Sequence, residues 1–177
     1  MNTSNMNSFL SEGNIKRHLE HLRTLRLQYS ILLKSYPELI GREIKDSLRL
    51  CSDKGVRSDL QKLYFNIKSH ELFFDSFYPV ECRSVERVPG YSSPDSFLYD
   101  FLCLAKEEQY GFAFAFADAR GDIKISFSNG DDGAFIRYTP LLSLDLYEHS
   151  YFNDYGFDKE RYVRAALTKL DISRLFR

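Results

Sequence analysis

The chain has 177 residues, 44% of them hydrophobic and 15% aromatic, which is enough apolar side chain to bury a core without disulfide staples and too much for a disordered chain. Its 24 basic and 25 acidic residues leave a net charge of −1, which offers no field for capturing nucleic acid. No window reaches the apolar length of a membrane span, and Met1 to Ser8 lack the basic and apolar segments of a secretion signal, so a cytoplasmic protein with no nucleic-acid and no membrane partner is expected.

Cys51, Cys82 and Cys103 are odd in number and lack the close paired spacing of a zinc knuckle or a redox motif, so they read as reduced, structural thiols. From Asn14 to Ser35, Ile15, Leu19, Leu22, Leu25, Tyr29, Leu32 and Leu33 recur at the spacing of one amphipathic helix, which Pro37 ends. A short helix is expected over Arg42 to Leu50. Leu60, Leu63, Tyr64, Ile67, Leu72 and Phe73 mark a helix from Ser58 to Phe77, with Pro79 behind it, and the two long helices predict an antiparallel hairpin. Glu81 to Ser96 is polar and rich in turn residues, which puts the boundary between an N-terminal domain of residues 1–84 and a C-terminal domain of residues 85–177.

Ser93 or Asp95 is placed to cap a helix over Phe97 to Gln109. Phe112, Phe114 and Phe116 alternate with alanines before Arg120-Gly121-Asp122, and Ile123, Ile125 and Phe127 alternate after it, the pattern of a β-hairpin. Ser128 to Gly133 forms a second turn, Leu141 to Leu146 a third strand, and Asp158 to Leu170 a closing helix. The fold class is therefore α+β: an N-terminal α-helical hairpin followed by a three-stranded antiparallel sheet flanked by helices.

At the mouth of the third strand stand Asp145 and His149, polar groups whose burial requires partners. His18 and His70 sit among the apolar residues of the two long helices, between Ile15 and Leu22 and between Ile67 and Phe73, so both imidazoles are expected to turn inward. Taken singly, each histidine also reads as a satisfied core residue, and Asp145 as a cap on the turn.

The segment TPLLSLDLYEHSYFNDYGFDKERYV resembles the C-terminal signature of the iron/manganese superoxide dismutases: an apolar strand, Asp-x-Trp-Glu-His-Ala-Tyr, an Asp-Tyr segment and a helix containing tyrosine. Asp145, Glu148, His149, Tyr151 and Asp154-Tyr155 stand in register with it. NIKRH (14–18) and NIKSHELFF (66–74) resemble the stretches around that family's first two ligands, and the hairpin at residues 111–129 resembles its two-stranded segment.

This resemblance implies a metal site of His18, His70, Asp145 and His149, with iron or manganese bound and superoxide as substrate. It also implies a homodimer bridged by Glu148. Asn66, one turn before His70, stands where iron-type members carry the amide that bonds the metal-bound solvent, whereas Gly130 stands where manganese-type members carry a glutamine, so iron is favoured. Phe74, Phe112, Phe114 and Tyr147 stand for the aromatic shell in a chain without tryptophan.

The chain departs from the family at the substrate gateway. A histidine and a tyrosine, four and eight residues beyond the first ligand, are replaced by Leu22 and Arg26, and a tyrosine beyond the last ligand by Phe152. Arg26 then reads either as a guide for the superoxide anion or as a surface ion pair. Tyr29 is a candidate substitute phenol, and His21 is expected to face solvent. The expected activity is superoxide dismutation. The alternative is a metal-binding protein of the same fold that has lost fast dismutation and serves as a scaffold or in other redox chemistry.

Overall fold

The computed structural model describes residues 6–77, 85–130 and 134–176. Pro79, Cys82, the boundary between residues 84 and 85, and Asp131 to Gly133 of the second turn lie at or within the stretches outside that description.

Helix α1 runs from Glu12 to Ser35, starting where Ser11 accepts a hydrogen bond from the Asn14 amide and ending at Tyr36, before Pro37 begins a 3-10 turn. Helix α2 spans Ile44–Leu50 and α3 spans Lys54–Asp75, the latter begun by Asp53 accepting from the Val56 amide. Helix α4, Pro94–Glu107, starts with Ser93 and Ser96 capping each other reciprocally, so Ser93 rather than Asp95 is the cap. Strands β1 (Phe112–Ala117), β2 (Ile123–Ser128) and β3 (Pro140–Asp145) form one antiparallel sheet in the order β2-β1-β3. A four-residue helix α5 (Ala134–Arg137) lies between β2 and β3. Helices α6 (Glu148–Tyr155) and α7 (Lys159–Leu167) follow the sheet. The expected α+β fold is the observed one, with the C-terminal signature forming the separate helix α6. None of the described helices is long and apolar enough to cross a membrane.

Strand β1 is buried on both faces, and its alternation decides what each face does. Ala113 and Ala115 join a large apolar cluster with Phe97, Phe101 and Ala105 of α4 and Leu142 and Leu144 of β3. Their small side chains let the helical layer approach closely. Phe112, Phe114 and Phe116 form a second cluster with Phe65 of α3 on the opposite face. Because Phe112 pairs with Asp145 and Phe114 with Ser143, the period of two puts Asp145 on the phenylalanine face.

Candidate metal centre

Asp145 ends β3, and its side chain is wholly buried. Its Oδ1 accepts the backbone N–H of Tyr147 at 2.9 Å, while its backbone carbonyl accepts the hydroxyls of Tyr162 at 2.8 Å and Ser150 at 3.1 Å. These bonds fix both the main chain and the carboxylate plane, and they leave Oδ2 aimed inward. Around Oδ2 stand the Nε2 atoms of His18 at 2.9 Å, His149 at 3.2 Å and His70 at 3.4 Å. The donor atoms of these residues all lie within 4.8 Å of one another.

His70 faces Asn66 one turn back, its Nδ1 lying 2.7 Å from the Asn66 backbone carbonyl. That bond places the proton on Nδ1 and keeps the Nε2 lone pair for the centre. Burial pushes the pKa of His70 down to about 3, so the ring is neutral at ordinary pH. Burial also opposes the charge on Asp145, but the adjacent His149 and His18 overcome it and hold the carboxyl well below the usual carboxylate range. His149 has its pKa raised: its own burial lowers it, and the Asp145 carboxylate more than reverses this.

Two atoms test whether a cation suits the cluster. His18 Nε2 and Asp145 Oδ2 are buried and close together, yet among the described residues neither has a hydrogen-bond partner of acceptable geometry. Orphaned buried polar atoms are costly, and lone pairs converging on a common centre rather than on protons are what a cation satisfies. Three imidazoles and a carboxylate, with no cysteine in the cluster, make a donor set for a borderline to hard metal.

An aromatic wall shields the cluster. Phe73 and Phe74 lie 4.9 and 5.2 Å from the His18 ring, Phe112 lies 5.0 Å from His70, and Tyr147 stacks on His149 at 5.6 Å with 17° between the planes. Phe74, Phe112 and Tyr147 thus form the expected shell, whereas Phe114 belongs to the neighbouring cluster of Phe116 and Phe135. Phe73, missed as a shell residue, follows His70 by three positions, a spacing that puts both on one side of α3.

Other expected site residues lie elsewhere. The Asn66 side chain donates to Lys62 O at 2.9 Å and lines an outer groove with Gln28 and Ile31, so its backbone carbonyl serves the cluster and its amide does not. A short side chain on a helix reaches its own preceding turn more readily than a neighbouring element. Arg26 bonds Glu71 at 2.8 Å, and Lys68 bonds the same carboxylate at 2.9 Å, so the guanidinium is in a surface ion pair. Leu22 is 1% exposed within the main core, while Phe152 packs on Phe157 at the surface. Tyr29 packs at the edge of the core, and Glu148 is exposed beside His149. His21 is exposed as expected, but its ring also lies 4.6 Å from His149 and 5.1 Å from His70.

A helical hairpin packed on a small antiparallel sheet, with a histidine from each long helix and an Asp-x-x-x-His at the sheet's end, defines a metal-binding α+β protein. The C-terminal domain of the iron/manganese superoxide dismutases matches residues 89–175, which include Asp145 and His149. Manganese superoxide dismutase 1 of Halobacterium salinarum is 35% identical over 110 residues, which cover 58% of this chain and 54% of that protein. Manganese superoxide dismutase 2 of the same organism is 40% identical over 47 residues, covering 27% of this chain and 24% of that protein. The match thus spans about half the length of the first relative and about a quarter of the second. The chain belongs to the iron/manganese superoxide dismutase family.

Proposed function

We propose that the chain holds an iron or manganese ion at His18, His70, Asp145 and His149 and dismutates superoxide there. The observation that carries this reading is the convergence of three imidazole Nε2 atoms on the buried Oδ2 of Asp145, at 2.9, 3.2 and 3.4 Å. When bound, the ion supplies a one-electron cycle in which one superoxide is oxidised to dioxygen and a second, taking up two protons, is reduced to hydrogen peroxide. The chain orients the donors. Tyr147 N–H and the Tyr162 and Ser150 hydroxyls hold Asp145, and the Asn66 carbonyl holds the His70 tautomer. Phe73, Phe74 and Phe112 exclude water, which strengthens the electrostatics within.

With the Asn66 amide turned to Lys62, the preference for iron loses its basis, and the relatives are named as manganese enzymes, so manganese is as well supported as iron. The reading includes a homodimer joined around Glu148. Glu148 is exposed beside a cleft of about 780 Å³ that also borders Tyr110, His149 and Phe157, and Phe157 is 91% exposed. Free thiols at Cys51 and Cys103 suit a reducing, cytoplasmic setting.

A second reading, a metal-holding protein with slow dismutation, is favoured by the Arg26 guanidinium and the Asn66 side-chain amide, both engaged away from the cluster. Elemental analysis of protein from cells grown with both metals, with dismutation assayed on the same sample, separates the two. Near-stoichiometric metal with activity supports the first reading and metal without activity the second. Absence of metal removes both.

A further inference from the structure

The side chains of His18, His70 and Asp145 are wholly buried, and His149, at 35% exposure, is the only member of the cluster that solvent reaches. Against the rings of both His149 and His70 lies a further imidazole, His21 of α1. His21 is exposed, and among the described residues neither of its ring nitrogens has a hydrogen-bond partner. It is not one of the four converging donors, so it lies beside the cluster, next to the one donor that solvent reaches.

We propose that His21 and His149 form a capture site at which a divalent transition-metal cation first binds before moving to the buried donors. A hydrated cation cannot reach Asp145 Oδ2 without shedding water, and stepwise exchange of water for imidazole lowers the cost of entering an aromatic-walled site. His149 belongs to both sets: it holds the cation with His21 outside and with His18, His70 and Asp145 inside. His21 therefore sets the rate of exchange and leaves the final affinity nearly unchanged. By microscopic reversibility, it speeds loading and release by the same factor.

This inference rests on the metal reading of the cluster, and the experiment distinguishes the two. Cobalt(II) is added to metal-free protein and uptake is followed by its visible absorption; release is then followed after excess chelator. In His21→Ala and His21→Phe, uptake and release are both expected to slow by about tenfold, the size of an outer-shell effect, with the equilibrium affinity kept. Phe preserves the ring contacts without a nitrogen. Wild-type rates in His21→Phe would assign His21 to packing and overturn the proposal. Unchanged or faster uptake in His21→Ala would overturn it too, the faster rate marking a lid. If cobalt binds His70→Ala as tightly as it binds wild type, the buried cluster is not the destination, and the metal reading fails with the inference.

Discussion

The side-chain amide of Asn14 donates to the backbone carbonyl of Ser150 at 2.9 Å, and so joins the two helices that carry His18 and His149. Asn14 is wholly buried and stands one turn before His18, while Ser150 adjoins His149. The same amide reaches Asp154 Oδ2 at 3.1 Å, which also accepts the Ser11 backbone N–H at 2.8 Å. The spacing between two candidate metal donors is thus set by a hydrogen-bonded tie rather than by packing alone.

Asn14→Ala is expected to destabilise the fold by about 1–3 kcal/mol, because the buried Ser150 carbonyl and the Asp154 carboxylate each lose a donor. It should also weaken metal binding, since α1 and α6 are freed to shift. Urea unfolding with and without cobalt(II) checks both: the midpoint should fall at unchanged slope, and the metal-dependent rise should shrink.

Removing the metal should lower stability by an amount that depends on free metal concentration. At a hundredfold excess over the dissociation constant the linkage is about 2.7 kcal/mol. Thermal scans of chelated and reloaded wild type should therefore differ in Tm. In His70→Ala, which lacks a donor at the centre of the cluster, the two scans should coincide.

Asp154 links pH to the same tie. Its partial burial opposes ionisation, but hydrogen bonds from Ser11 and Asn14 outweigh this and hold its pKa below the ordinary value. A group whose pKa is lower in the folded state stabilises the fold above its unfolded pKa, about 3.9 for Asp, and that contribution is lost as pH falls through the folded value. Asp154→Asn should thus be less stable than wild type at neutral pH, with the gap closing as the solution is acidified. Paired unfolding curves across that range measure it.

Gly130 has φ +98°, and a Cβ there would lie 2.8 Å from the Phe65 ring. Gly130→Gln, the change towards the manganese-type residue, should therefore destabilise by about 2 kcal/mol from backbone strain and overlap, and should not place an amide at the cluster. In a Phe65→Ala background the overlap part should disappear and the strain part remain. A double-mutant cycle measures the difference.

Restoring the gateway at the replaced positions should fail. Leu22 is a core residue, so Leu22→His combined with Phe152→Tyr is expected to cost about 3 kcal/mol, by lost packing and a buried imidazole without a partner. Dismutation by the metal-loaded variant should not rise; an increase would show that the core yields and that these positions can rebuild the missing contacts.

The residues at 141–151 determined much by themselves. A leucine-rich run ending in Asp145, with His149 four positions on, encodes a buried strand whose polar end demands partners, and local hydrophobic periodicity marks each major helix and all three strands, because side-chain spacing is a property of the local backbone. Asp145 on the phenylalanine face also follows from period-two alternation once Phe112 pairs with it, but that pairing is a register only the assembled sheet decides. Residue spacing leaves open which local hydrogen bond a short polar side chain makes, and it leaves open every contact between elements, which tertiary structure alone decided. Asn66 and His70 share a helix face in sequence, yet the Asn66 amide bonds Lys62 O and its carbonyl serves His70. His21 lies about a hundred degrees round the helix from Leu22, yet it meets the rings of His149 and His70 because α3 and α6 converge beside α1. Helical spacing orders residues on one element, while contacts between elements depend on how those elements pack.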